Sequence, residues 1–280
     1  MSRHVAVVTD STACLPQSVV RDLGISVVQQ QLQVGEQTHE EARIPPEQLI
    51  DAMRDRVPVA TAPPHPGAFF WAYQDAANAD AAAVVSLHIS AKQSQTCKIA
   101  RDTANQSRIP VYVVDSATTG MSLGYAVLAA ATAAAGGGSV RDVLQAAHQR
   151  FTTSTELIYV DSLEYLRRGG RIGAAAAMVG TALSVKPLLT MSDGQVAPLN
   201  RVFGADRALR KMVDTAVELA GAKQVDLAVE HFGAPELAVE LADRLRARVP
   251  SAQQCMITQV SAIIGAHVGP GALGVTVSPR

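Results

Sequence analysis

The first half of the chain alternates short apolar runs with longer helical stretches, and this alternation strongly constrains the fold. Three runs of mostly β-branched residues lie at 5–8, 83–87 and 111–114, each followed by a segment of helical character. A further extended segment is predicted at 25–34, with a turn at Gly35-Glu36. Continuous apolar runs are typical of strands buried on both faces, and parallel strands are usually connected by a helix. We therefore predict a parallel sheet covered by helices on both faces.

The second half has a different pattern, which predicts a second domain. Asp193-Gly194 lies between extended segments at 183–191 and 196–199, and an Asp-Gly pair in that setting indicates a β-hairpin. Beyond it we predict helices at 205–220 and 235–248, with a strand between them at 225–230. A glycine-rich segment at 265–274 precedes the last predicted strand. We expect an α/β fold of two domains, with a parallel-sheet domain at 1–155 and an α+β domain at 156–280.

Composition excludes several classes of protein. With 48% hydrophobic and 18% charged residues, the chain can bury a core and does not have the composition of a disordered protein. A net charge of −1 without a basic run argues against nucleic acid as a partner. Cys14, Cys97 and Cys255 are isolated, which argues against a disulfide framework or a zinc site. We found no signal peptide or apolar segment long enough to span a bilayer, so a cytoplasmic protein is expected.

Small hydroxyl residues follow three of the predicted strands. They lie at 9–12, at 88–90 with Ser94 beyond, and at 115–119. Ligands of open parallel sheets bind outside the carboxyl ends of the strands, where hydroxyls and helix N-termini can donate hydrogen bonds to an anion. Each of Asp10, Ser11 and Ser116 could instead serve only as a helix cap. The repetition at three strand ends favours a shared polar pocket.

Motifs for nucleotides and metals are poor. A Gly-x-Gly-x-x-Gly match at 269–274 has only six residues after it, so no βαβ unit can follow. No histidine pair has the spacing of metal ligands, and we expect neither a cofactor nor a metal. His267 differs from the other histidines because it lies in the apolar, glycine-rich segment 263–269. Flanking glycines allow the backbone to approach a ligand closely, so His267 is either a buried core group or a ligand-binding residue.

A serine nucleophile is the alternative interpretation. Residues 120–124, Gly-Met-Ser-Leu-Gly, fit the Gly-x-Ser-x-Gly pattern of hydrolases. That pattern needs its serine on a turn directly after a strand, whereas the predicted strand ends near residue 114. Ser122 is therefore expected in the first turn of a helix, and a serine esterase or hydrolase that uses Ser122 is the alternative function.

Several motifs, in one order and spacing along almost the whole chain, resemble the DegV family of bacterial fatty-acid-binding proteins. Three of them are VTDSTACLP at 8–16, LEYLRRGGRI at 163–172 and IGAHVGPGA at 264–272. The others are TAPPHPG, SAKQSQT, VDS and KP, at 61–67, 90–96, 114–116 and 186–187. Each motif is weak alone, and the set is specific.

The resemblance implies a two-domain protein that holds one long-chain fatty acid in an apolar tunnel between its domains. In the family the carboxylate is held by a threonine, a serine and a histidine, which match Thr61, Ser94 and His267. Some relatives present the bound fatty acid to a separate fatty acid kinase, while the carrier itself performs no chemistry. The chain departs from the family pattern at Gln93 and Gln95, which replace a leucine and a glycine, and we expect Gln93 to face solvent.

A basic cluster is the predicted partner surface. Arg167, Arg168 and Arg171 surround Gly169-Gly170 in what we expect to be a turn. Such a cluster can be an ordinary solvated surface, and the resemblance implies that it meets the kinase near the mouth of the tunnel.

Overall fold

The structure is a computed structural model that describes residues 4–179 and 185–280. Within these ranges the strands, β1 to β13, are Val5–Asp10, Ser26–Val28, Gln31–Val34, Gln37–Glu40, Val59–Ala62, Ala83–His88, Val111–Asp115, Thr155–Tyr159, Val185–Ser192, Gln195–Phe203, Val225–His231, Ala252–Gln259 and Leu273–Pro279. The α-helices, α1 to α10, are Gln17–Asp22, Pro46–Arg54, Pro66–Asn78, Thr96–Ala104, Gly120–Ala135, Val140–Thr153, Glu164–Arg168, Ala205–Ala220, Pro235–Arg248 and Ala262–Val268.

The first half forms the predicted parallel sheet, with strand order β2-β1-β6-β7 and every neighbouring pair parallel. Successive side chains of β1 point to opposite faces of the sheet. Val7 packs with α5 and α6 on one face, while Val8 packs with α3 and α4 on the other. Helices on both faces explain why these strands have continuous apolar runs.

The second half forms a six-stranded mixed sheet with the order β10-β9-β8-β13-β11-β12. In this sheet β11 and β12 are parallel and the other neighbouring pairs are antiparallel. The predicted hairpin joins β9 and β10, and its turn residues Asp193 and Gly194 have φ values of 49° and 73°. Residues 183 and 184 of the segment predicted as extended lie outside the described residues. One face of the sheet packs on α8 and α9.

A third sheet is antiparallel and has the order β4-β3-β5. Its strands lie in the chain between β2 and β6 of the parallel sheet. The segment 25–34, predicted as one strand, is divided between the parallel sheet and this small sheet, because β2 pairs with β1 and β3 pairs with β4 and β5. Leu32 of the small sheet and Leu49 of α2 share a core with Leu166 and Phe232 from the second half. The first-half segment therefore contributes to a core it shares with the second half, and the domain boundary at residue 155 stays a prediction.

The glycine-rich segment 265–274 contains the end of one helix and the start of the last strand. Helix α10 begins at Ala262 and ends at Val268, and Ser261 caps its N-terminus by accepting a hydrogen bond from the Ile264 N–H. Gly265 allows α10 to pack directly on Phe232, because a Cβ at residue 265 would lie 2.4 Å from the ring of Phe232. Among the helices of the described ranges, none is long and apolar enough to cross a membrane.

Candidate functional site

The candidate site lies at the carboxyl ends of β1 and β6, where the strand order of the parallel sheet reverses. The chain leaves β1 toward β2 on one side, whereas β6 lies on the other side of β1. Loops from adjacent strands diverge at such a point and leave a crevice, which is where open α/β sheets bind ligands. Here the small sheet, α7 and α10 border this crevice.

A cavity of about 120 Å³ occupies this crevice, and both halves of the chain line it. Its apolar lining is Ala62, Pro63, Ile89, Ile158, Leu166, Met191, Val196, Ile263, Ile264 and Val268. Its polar lining is Gln30, Thr61, Gln93, Ser94, Gln95, Thr119, Arg171 and His267. The three residues predicted to hold a carboxylate therefore line one cavity.

Thr61 and His267 contact each other directly. The Oγ1 of Thr61, on β5, lies 2.8 Å from the Nε2 of His267, on α10. The Nδ1 of His267 is buried and has no hydrogen-bond partner among the described residues. Burial, together with the charge of nearby Arg171, lowers the pKa of His267 to about 4. The imidazole is therefore neutral at pH 7 in the ligand-free protein, and its Nδ1 is unpaired.

Gly169 fixes the position of the His267 ring. A Cβ at residue 169 would lie 2.0 Å from Nδ1 of His267, a distance at which atoms collide. Gly169 follows α7 with φ −74°, so it is not the backbone conformation that requires glycine there. The sequence indicated a Gly-Gly turn at 169–170, and in the structure the ring of His267 packs directly against the backbone of Gly169.

Ser94 lies in the loop between β6 and α4. Its hydroxyl is 2.7 Å from the Oγ1 of Thr96, and its backbone N–H donates to the carbonyl of Ser90. Gln93, expected to face solvent, is instead partly buried: its side-chain amide donates to the carbonyl of Gly194 at 3.3 Å. That expectation is wrong because the β9–β10 hairpin covers this loop. Gln95 is exposed at the edge of the cavity.

Arg171 is a cavity residue that the sequence assigned only to a partner surface. Its Nε donates to the carbonyl of Gln93 at 3.2 Å, and one terminal nitrogen donates to the carbonyl of Gly169 at 2.7 Å. These bonds hold a guanidinium beside His267. Arg167 and Arg168 lie on α7 rather than in a turn, and both form ion pairs with Glu164 outside the cavity.

The polar strand ends contribute less directly than their sequence suggested. Asp10 accepts hydrogen bonds from Gln30 at 3.1 Å and from the backbone N–H of Ile89 at 3.0 Å, and both of these residues line the cavity. Burial alone would raise the pKa of Asp10, but its hydrogen bond and electrostatic interaction with His88 keep that pKa below the ordinary value. Ser116 donates to the backbone carbonyl of His88. Asp10 therefore supports the cavity by binding two residues that line it, and Ser116 by binding the residue before Ile89.

Ser122 does not have the surroundings of a nucleophile. It lies in the first turn of α5, as predicted, and is 1% exposed. Its hydroxyl has no hydrogen-bond partner in the described ranges, so no histidine there is placed to take its proton. In the same ranges, no group of three or more His, Cys, Asp or Glu side chains is arranged to hold a metal ion.

Comparison with known proteins gives consistent matches over the full length. The model of the DegV family matches residues 4–280. A DegV domain-containing protein of Streptomyces coelicolor is 45% identical over 281 residues and covers 100% of both chains. A DegV family protein of Thermus thermophilus, described for its fatty acid binding, has a TM-score of 0.93 and 29% identity, covering 99% of this chain and 100% of its own. DegV of Bacillus subtilis, described as a fatty acid binding protein, has a TM-score of 0.90 and 27% identity, covering 100% of both chains.

Proposed function

Because this chain belongs to the DegV family, we propose that it binds one long-chain fatty acid in the cavity between its two larger sheets. The observation that carries the proposal is the Thr61–His267 hydrogen bond in the wall of a mainly apolar cavity. In this proposal Thr61, Ser94 and His267 hold the carboxylate, and the acyl chain lies along the apolar lining.

The acyl chain supplies most of the affinity. Burial of about 14 methylenes at roughly 0.8 kcal/mol each contributes about 11 kcal/mol before the losses of chain and rigid-body entropy. The head group then needs only enough hydrogen bonds to offset the desolvation of its charge. A few polar side chains in a mainly apolar cavity match this division of roles.

Four groups support carboxylate binding at the polar end. In the imidazolium form of His267, Nε2 donates to the Oγ1 of Thr61 and Nδ1 carries a second proton. The hydroxyls of Thr61 and Ser94 and the Nδ1–H of His267 can then all donate to a carboxylate. The guanidinium of Arg171 adds a positive charge beside them. A bound carboxylate would favour the imidazolium form of His267 and so raise its pKa from about 4.

In this proposal the protein is a carrier that performs no reaction on the acid. The family resemblance extends the proposal to a fatty acid kinase that receives the bound acid. The surface for this partner is the outer face of α7 and the following turn, with Arg167, Arg168 and Arg171. Arg168 and Arg171 border the outer cleft that also reaches His267, so a partner here would approach the head group.

Extraction and mass spectrometry test the carrier proposal. We expect protein purified without added lipid to release close to one equivalent of fatty acid on denaturation. A delipidated sample should bind a fatty acid again with one site per chain. Purified protein that neither carries nor takes up a fatty acid, or that hydrolyses short acyl esters in a Ser122-dependent reaction, would overturn the proposal.

A further inference from the structure

A second cavity of about 50 Å³ adjoins the first at its inner end. Thr119, Ile158, Ile264 and Val268 line both cavities, so the two spaces meet along a shared wall. One water needs roughly 10–15 Å³ of such a volume, so the inner cavity has room for a few groups of that size. A short segment of an acyl chain that carries a substituent would fit there. Most of its lining is apolar, but two carboxyl groups, of Glu156 and Glu230, also reach it.

Glu156 has one satisfied oxygen and one free oxygen. Its Oε1 accepts from the Thr118 hydroxyl at 2.6 Å and from the Thr119 backbone N–H at 3.3 Å. Its Oε2 is buried and makes no hydrogen bond of good geometry in the described part of the chain, and its polar neighbour there is the hydroxyl of Ser122, which is also unpaired. Burial, with the nearby charge of Glu230, raises the pKa of Glu156 to about 8. At pH 7 the carboxyl is therefore mostly protonated and Oε2 carries a proton to donate.

In Glu230, by contrast, both carboxyl oxygens accept hydrogen bonds from the protein. Its Oε1 accepts from the backbone N–H of Met121 at 3.0 Å, and its Oε2 accepts from the hydroxyl of Thr276 at 3.1 Å. Both carboxyl groups thus bind at the N-terminal end of α5, Glu156 at the two residues before the helix and Glu230 in its first turn, where unpaired N–H groups favour acceptors. Glu230 uses both of its carboxyl oxygens at this helix end, whereas Glu156 uses only Oε1. Capping α5 therefore does not explain why Oε2 of Glu156 is unpaired.

Thr119 presents a second unpaired group at the junction of the two cavities. Its Oγ1 is buried without a hydrogen-bond partner among the described residues, and the residue lines both cavities. A buried polar group without a partner is energetically unfavourable. Two such groups on one cavity wall are unfavourable beside an unsubstituted acyl chain, because a methylene group can neither donate nor accept.

We propose that the inner cavity selects fatty acids carrying a hydroxyl group on the acyl chain, with Glu156 and Thr119 as its hydrogen-bonding partners. This inference rests on the proposed function, since it specifies the class of fatty acid for the same cavity. A hydroxyl suits the pair because it can accept from the protonated Glu156 and donate to the Oγ1 of Thr119 at once. Recognition here is remote from the carboxylate, which lies at Thr61 and His267.

Binding of a matched set of acids to delipidated protein tests the proposal. The probes are stearic acid and hydroxystearic acids with the hydroxyl at carbon ten, twelve or eighteen, each measured by competition at pH 7. We expect at least one hydroxy acid to bind roughly tenfold more tightly than stearic acid. Glu156→Leu should abolish that preference while retaining stearic acid binding, and Thr119→Val should also abolish the preference. Glu156→Gln should restore it, because the amide can still donate where the protonated carboxyl does.

The outcomes separate this inference from the proposed function. Tight binding of stearic acid with no preference for any hydroxy acid overturns the inference and leaves the carrier proposal standing. A preference that persists in both Glu156→Leu and Thr119→Val also overturns it, since the hydroxyl would then be recognised elsewhere. Failure of the wild-type protein to bind any of the four acids overturns the carrier proposal and the inference together.

Discussion

The Nε2 of His267 lies 2.8 Å from the Oγ1 of Thr61, although 206 residues separate them in the chain. The contact joins α10 of the second half to β5 of the small sheet in the first half. It therefore connects the two halves of the protein at the polar end of the cavity. Removing either side chain therefore changes the head-group site and this connection together.

Loss of a head-group partner should weaken acid binding selectively. We expect Ser94→Ala and His267→Ala each to lower the affinity for a long-chain fatty acid by roughly 10- to 150-fold, the value of one hydrogen bond to a charged group. The matching fatty alcohol, which has no carboxylate, should lose much less. Calorimetric titration of both ligands checks this, and equal losses for acid and alcohol would mean that the substitutions damaged the cavity itself.

Gly169→Ala should displace the His267 ring, because the new Cβ would lie only 2.0 Å from Nδ1. We expect fatty acid affinity to fall at least as far as in His267→Ala. Gly136→Ala is a matched control, since Gly136 also follows a helix with φ −73° and has only ordinary contacts around its missing Cβ. Binding by Gly169→Ala that equals binding by Gly136→Ala would refute the packing role of Gly169.

Acid should destabilise the ligand-free protein partly through His267. Burial, with Arg171 nearby, lowers the pKa of His267 to about 4 in the folded protein, from an ordinary value of 6.5. Between these values the unfolded chain binds a proton that the folded protein does not, so stability is lost as pH falls from about 6.5 to 4. Urea unfolding at pH 7 and pH 5 should show a smaller loss in His267→Gln than in the wild type. An identical loss would contradict the neutral imidazole.

Glu156 should have the opposite effect. Its folded-state pKa of about 8, raised mainly by burial, exceeds the ordinary 4.5, so its stabilising contribution is present below pH 4.5 and is lost as pH rises through 8. The slope from one such group is at most about 1.4 kcal/mol per pH unit. Unfolding at pH 6 and pH 8.5 should show a flatter dependence in Glu156→Gln, while the exposed control Glu47→Gln follows the wild type. A wild-type slope in Glu156→Gln would refute the raised pKa.

The partner surface can be tested apart from ligand binding. Arg168 lies outside the cavity and pairs with Glu164, whereas Arg171 lines it. We expect Arg168→Ala to weaken association with a fatty acid kinase several-fold while the bound lipid is unchanged, and Arg171→Ala to lower both. Pull-down with the kinase and mass spectrometry of the bound lipid measure the two effects. Unchanged association in both variants would exclude this surface.

Local sequence determined the elements that depend on periodicity and turn chemistry. The bounds of α8 and α9, at 205–220 and 235–248, were predicted from their apolar patterns, and the Asp193-Gly194 hairpin from a dipeptide that accepts positive φ values. The parallel sheet followed from apolar runs separated by helices. Ser122 was placed correctly in the first turn of a helix. Each of these follows from residues close together in the chain.

The tertiary structure alone decided which distant groups meet and how deeply they are buried. It divided the segment 25–34 between two sheets, turned Arg171 into the cavity, and placed Gly169 against His267. It also left one oxygen of Glu156 without a partner. Strand pairing and desolvation depend on contacts between residues far apart in the chain, so neither periodicity nor spacing encodes them. Sequence could therefore name Thr61, Ser94 and His267 through resemblance, whereas their charge states and neighbours emerged only from the fold.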